Sequence, residues 1–253
     1  MFRDLTVNAE GSTEVVTLNR PDKRNALSLG MMSELVDSLN DAAKYRAVII
    51  AAAGKAFCSG HDLRELSSRE ECDYRQIFEV CTELMLKIQS IPIPVIAEVQ
   101  GLATAAGCQL VAACDLAVAS TEAAFATPGV KIGLFCTTPM VPLVRSVGRK
   151  RAMQMLLTGE PISSQTALEW GLVNRVVAPD ELSAATRELA SLIASASRDT
   201  VATGKRAFYQ QIGIDERSAY ALAKETMTSN AMAADAQEGI SAFLSKRAPA
   251  WRS

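Results

Sequence analysis

Apolar and polar residues partly alternate through "LTVNAE" and "EVVTLNR", two β-branched stretches on either side of Gly11-Ser12, and this pattern predicts a β-hairpin. The polar run "RPDKRNALS" then leads into Leu29, Met32, Leu35, Val36 and Leu39, whose spacing predicts an amphipathic helix. "AVIIAAAG", residues 47–54, is short, apolar throughout and closed by glycine, as a strand buried on both faces is. "KAFCSG" reads as a loop, and "HDLREL" as the first turn of a helix with Asp62 near its start. Ile77, Cys81, Leu84 and Ile88 mark a further helix, stopped by Pro92 and Pro94.

"VIAEVQG" predicts a strand, "TAAGCQLVAAC" a short helix of small residues, and "DLAVAS" another strand. Strand, Gly-rich turn, helix and strand in that order imply an α/β core with buried strands. Beyond residue 150, "RKRAMQMLLTG" and "SSQTALEWG" read as helices and "LVNRVV" as a brief strand. Ala-rich helices then fill residues 180–245, with apolar faces suited to packing on a core or a partner subunit.

Composition narrows the class. At 253 residues, 49% of them hydrophobic, the chain can bury a large core, and general disorder is excluded. Its net charge of −2, with acids and bases interspersed, lacks the basic face that a nucleic acid requires. No apolar run reaches membrane-spanning length. The six cysteines form no CxxC pair, and with one histidine they offer no zinc spacing, so free thiols and no metal are expected. The opening "MFRDLTVNAEG" has neither an apolar signal core nor an Arg/Ser-rich leader, and a cytoplasmic location is expected.

Two stretches carry candidate chemistry. "FCSGHD" gathers Cys58, Ser59, His61 and Asp62, but a Ser-His-Asp relay needs side chains that converge from separate parts of a fold. Phe57 also stands where the first glycine of a GxSxG elbow belongs. The alternatives are an ordinary turn, or a loop whose backbone N–H groups face outward and hold an oxyanion, with His61 contributing its amide. In "GLATAAGCQL", Ala105, Ala106 and Gly107 leave the backbone open at a helix start, although close helix packing also calls for small residues. Two such stretches facing each other would give one oxygen two N–H donors.

"LNRPDKRNALS", "GKAFCSGHDLREL", "PVIAEVQGLATAAGCQLVAACDLAVAS", "FATPGVKIGL", "LLTGEPISSQTALEWGLVNRVV" and "QEGISAFLSKRAPAW" resemble, in order, the signature blocks of the enoyl-CoA hydratase/isomerase (crotonase) superfamily. The likeness runs from about residue 10 to the C-terminus, and within the superfamily it is greatest to the subgroup called enoyl-CoA hydratase domain-containing protein 3. The resemblance implies an α/β fold: a spiral of ββα units over residues 1–195 and a helical C-terminal oligomerisation region over 196–253, assembled as a homotrimer or homohexamer. It implies an acyl-CoA thioester as substrate, with coenzyme A entering as part of that substrate and no permanently bound cofactor. It also places the thioester carbonyl between the N–H groups of His61 and Ala106. Arg24, Ala26, Ser59, Asp62 and Leu63 fall at positions that line the CoA, and Phe243 and Lys246 at positions that reach a CoA held mainly by a neighbouring subunit.

The sequence departs from the family at the two glutamates with which hydratases handle water. Gln109 and Gly129 stand there instead. Hydration needs a base for water and an acid for the α-carbon, and a glutamine amide or a glycine supplies neither. Asp62 is expected to cap its helix, and Glu98 to be a paired structural acid. Cys136, seven residues beyond Gly129, and the His61 imidazole remain as candidate proton carriers. Three readings follow: an enzyme of the enoyl-CoA hydratase/isomerase type with altered chemistry, a non-catalytic acyl-CoA-binding protein, or a structural partner in a fatty-acid complex.

Overall fold

The computed structural model describes residues 2–252. The hairpin forms as the pattern predicts: β1 (Leu5–Glu10) pairs antiparallel with β2 (Thr13–Leu18) across the Gly11 turn. Helix α1 (Leu29–Asp41) starts at Ser28, whose hydroxyl accepts the Met31 N–H, and buries Met31, Met32, Leu35, Val36 and Leu39. β3 (Ala47–Ala52) is the fully buried strand expected from its apolar run. Its alternation divides two layers: Val48 and Ile50 enter the main core, whereas Ala47, Ile49 and Ala51 face the opposite cluster.

The chain then repeats one unit. β3 is followed by β4 (Ala56–Cys58) and α2 (Glu71–Ser90), and β5 (Val95–Val99) by β6 (Leu102–Thr104) and α3 (Ala106–Ala113). β7 (Leu116–Ser120) is followed by β8 (Ala124–Ala126) and α4 (Met140–Val147). In each unit the first strand joins a six-stranded sheet and the second a four-stranded one. β3, β5 and β7 run parallel in the first sheet, and β4, β6 and β8 parallel in the second, so the chain winds as a spiral of ββα turns.

α5 (Arg149–Thr158), β9 (Ile162–Ser163), α6 (Ser164–Trp170) and β10 (Arg175–Val177) complete the two sheets. α7 (Leu182–Ala194) covers the far face of the large sheet, burying Leu182 and Ala190 against Val15, Ile49, Ile96 and Val118. Glu98 is the paired structural acid expected of it, bonded at 3.0 Å to Arg187 of α7.

α8 (Arg198–Gln211), α9 (Glu216–Met232) and α10 (Ala234–Leu244) follow. One buried polar knot ties α8 to the core: Lys205 donates to Asp115 and to the Ile88 and Ile93 carbonyls, and the Tyr209 hydroxyl donates to Asp115. These helices leave Phe208, Ile212, Tyr220, Met227 and Met232 exposed.

Two local expectations are corrected. Within "KAFCSG", read as a loop, Ala56–Cys58 form β4, a strand too short to show alternation. Residues 61–70 are bends and turns, and the helix begins only at Glu71. The Asp62 carboxylate caps no helix: it accepts from Arg20 at 3.2 Å and from the Arg64 N–H at 3.2 Å, and Ser68 has a left-handed φ of 55° that breaks the turn.

Candidate active site

Two loops leave parallel strands of the small sheet side by side. After β4 the chain passes Gly60 at φ +93° and makes a parallel bridge to Leu27. The Leu27 N–H donates to the Gly60 carbonyl at 2.8 Å, and the Asp62 N–H to the Leu27 carbonyl at 3.0 Å. The bridge therefore uses the groups on either side of His61. In extended chain the intervening N–H points the other way, and that of His61 has no acceptor among the described residues. After β6, Ala105 adopts φ 49°, ψ −117° and turns the chain abruptly into α3. Ala106 is the first residue of that helix, so its N–H has no intrahelical partner, and no side chain caps it.

Gly60 brings the loops together. A Cβ there would stand 2.9 Å from the Ala105 Cβ, 3.1 Å from the Thr104 oxygen and 3.4 Å from the Ala106 nitrogen. Any larger residue would push the two N–H groups apart. Both residues line a cavity of about 340 Å³. Its wall is apolar for the most part (Leu63, Leu66, Phe78, Ile132, Leu134, Phe135), with Ser59, Thr137, Thr138 and Lys131 as polar points. Lys131 is tied to Glu160 at 2.7 Å.

His61 is one of the residues lining this cavity, and Phe78 stands edge-on to its ring at 5.6 Å between centroids. Neither ring nitrogen has a hydrogen-bond partner. Burial pushes the imidazole down to about 4 against the opposing effect of the Leu27 carbonyl, so the ring is neutral at pH 7.

The two positions that lack glutamate behave differently. Gln109 is buried on α3 and absent from the cavity wall, and its oxygen lies 3.9 Å from the Cys81 thiol. Gly129 does line the cavity, but its side-chain space is taken: a Cβ would fall 2.0 Å from the Leu134 carbonyl oxygen and 2.8 Å from Cys136 Sγ. Burial raises the Cys136 thiol above its usual range and pushes Cys58 up to about 12, so both stay protonated.

Of the other residues singled out in the sequence, Ser59 and Leu63 lie on the cavity wall, and Leu63 is 54% exposed. Arg24, Ala26 and Asp62 stand outside it on the loop that braces the first N–H: the Ser59 N–H donates to the Arg24 carbonyl and Arg20 to the Ala26 carbonyl. Phe243, 83% exposed, and Lys246 lie at the end of α10 and line no part of the cavity. Sequence reasoning missed Phe78 and Phe135, whose positions depend on how α2 and the loop after β8 fold over the mouth.

Residues 8–253 match the family model described as enoyl-CoA hydratase/isomerase. Enoyl-CoA hydratase domain-containing protein 3, mitochondrial, of Mus musculus is 51% identical over 240 residues, 93% of this chain and 80% of the relative. Two crystal structures superpose closely. An enoyl-CoA hydratase of Mycobacterium smegmatis has a TM-score of 0.97 at 49% identity, covering 99% of this chain and all of the other. The human enoyl coenzyme A hydratase domain-containing protein 3 has a TM-score of 0.95 at 48% identity, covering 98% and 100%. The mouse relative's name overturns the expected cytoplasmic location. An address is read from a detachable segment by its receptor, so the composition of a folded body does not encode it.

Proposed function

The chain belongs to the enoyl-CoA hydratase/isomerase family, and on that premise we propose that it binds an acyl-CoA thioester with the carbonyl oxygen between the N–H groups of His61 and Ala106, favouring the enolate. The observation that carries this reading is the pair of unpartnered amides that Gly60 holds together at the cavity wall. Preorganised donors of this kind contribute roughly 10²–10³-fold each when charge develops on the oxygen.

Ser59 and Leu63 would flank the pantetheine arm, with Arg24, Ala26 and Asp62 beside the nucleotide end. Phe243 and Lys246 would reach a CoA bound to a neighbouring subunit. The apolar side chains left exposed on α8–α10 support residues 196–253 as the contact region of a homotrimer or homohexamer, with residues 1–195 carrying the site.

Hydration is not the reaction this site favours. Losing positioned acid–base help costs typically ~10²–10⁴-fold per group. Gln109 is turned away from the cavity, and the space at Gly129 is filled. The same observation favours a second reading, a non-catalytic acyl-CoA-binding protein.

Titration with a β-keto acyl-CoA, followed by difference absorbance, tests the proposal. Saturable binding with growth of the enolate band supports it. Absence of binding, or binding of the keto form alone, contradicts it.

A further inference from the structure

Helix α2 buries one stripe, Ile77, Cys81, Leu84 and Ile88, against the core. Phe78 stands beside that stripe, is only half-buried, and borders two open spaces. The first is the cavity whose wall carries His61 and Ala106. The second is an outer groove of about 470 Å³ along α2, lined also by Tyr74, Arg75, Glu79 and Thr82. Among the described residues, Phe78 alone lines both. The groove is polar where the cavity is apolar: Arg75 pairs with Glu71 at 2.7 Å, the Tyr74 hydroxyl donates to the Leu66 carbonyl at 3.3 Å, and the Thr82 hydroxyl donates to the Phe78 carbonyl at 2.7 Å. The two spaces therefore meet at a single aromatic side chain.

We propose that Phe78 sets the length of acyl chain this site accepts, closing the cavity behind an unbranched chain of medium length and shutting it off from the outer groove. The inference rests on the acyl-CoA reading above. With the thioester oxygen on the His61 amide, the acyl chain starts beside that residue. Covalent geometry keeps the His61 ring within roughly 5 Å of its own amide, and the Phe78 centroid lies 5.6 Å from that ring. An extended carbon chain advances about 1.3 Å per bond, so it meets Phe78 within about eight carbons. Each methylene that enters an apolar cavity strengthens binding about fourfold, until the next finds no room. Carbons beyond that point overpack the wall, and affinity stops rising. Removing the ring joins cavity and groove, and a longer chain then runs out past Tyr74 towards solvent.

The test measures binding of butanoyl-, octanoyl-, dodecanoyl- and hexadecanoyl-CoA to the whole chain by calorimetry, each thioester below its micellar concentration. The wild type should bind octanoyl-CoA most tightly. Phe78→Ala should raise the ratio of hexadecanoyl to octanoyl affinity by about tenfold or more, the equivalent of roughly two buried methylenes. Phe78→Trp should lower the ratio of octanoyl to butanoyl affinity. Phe135 lines the cavity and not the groove, so Phe135→Ala should weaken binding without moving the preferred length. Circular dichroism confirms that each variant is folded. A length profile unchanged in both Phe78 variants, or one that shifts as far in Phe135→Ala, overturns the role of Phe78 and leaves the binding reading intact. A wild type that binds none of these thioesters overturns the binding reading itself.

Discussion

Cys136 Sγ lies 2.8 Å from the point where a Cβ on Gly129 would stand, and the Leu134 carbonyl oxygen lies nearer still, at 2.0 Å. The side-chain space at Gly129 is therefore filled, not merely vacant. The loop runs through the space, and the Leu134 N–H donates to the Gly129 carbonyl at 3.0 Å to hold it there.

Gly129→Glu, alone or with Gln109→Glu, should accordingly fail to install hydratase activity. The new side chain must displace backbone, and overpacking of this kind costs about 1–3 kcal/mol or more. Thermal melting of the two variants, with an enoyl-CoA hydration assay, checks both halves. Recovered hydration at unchanged stability would show that the loop yields easily.

His61 gives stability a pH dependence of known sign. Its folded pKa, about 4, lies below the unfolded value near 6.5. The unfolded chain therefore takes up a proton first as pH falls. Above pH 6.5 no protonation penalty falls on the fold, and stability is lost progressively as pH drops from 6.5 towards 4, by about 3 kcal/mol in total. Denaturant unfolding of the wild type and His61→Gln across that window should show the difference between them narrowing or reversing towards acid. Parallel curves would contradict the burial of the ring.

Ala105 stands at φ 49°, ψ −117°, a conformation costly for any residue with a Cβ. Ala105→Gly should relieve that strain and raise stability by about 1 kcal/mol, net of the glycine's extra unfolded-state entropy. A rise in Tm of roughly 2–4 °C is expected for a chain of this size. Enolate formation should fall, because a freer turn holds the Ala106 N–H less firmly. A variant both more stable and more active would contradict a strained turn serving the oxyanion.

Lys205 anchors the C-terminal helices through Asp115 and two backbone carbonyls, and is itself nearly buried, with a side-chain exposure of 7%. Lys205→Met leaves the Asp115 carboxylate without its countercharge and should destabilise by about 3–5 kcal/mol. Asp115→Asn combined with Lys205→Met should recover part of that loss. Chemical denaturation of the single and double variants measures the coupling.

Much of the large sheet was legible because β3, β5 and β7 are apolar runs bounded by glycine or polar residues. The small sheet was not. "AFC", "LAT" and "AFA" are three residues each, too short to show a period of two; the first fell within a stretch read as a loop, and the other two within no predicted strand. The helical start expected at Asp62 failed because Arg20, 42 residues away, claims its carboxylate. Local pattern cannot show such a partner.

At the site, the small residues of "CSG" and "AAG" signalled open backbone, and the structure brings His61 and Ala106 to one wall. The absence of glutamate at 109 and 129 was plain in the sequence. Which way Gln109 turns, and what fills the space at Gly129, depended on loop packing that no spacing encodes.

The most direct test of the account is single-turnover incubation of a short-chain and a medium-chain 2-enoyl-CoA with the protein in excess, products resolved by mass. The account predicts that the thioester stays bound to the protein without gaining the mass of water. A hydrated product formed well above the solvent rate would contradict it, because water would then be activated at a cavity on whose wall no carboxylate stands among the described residues.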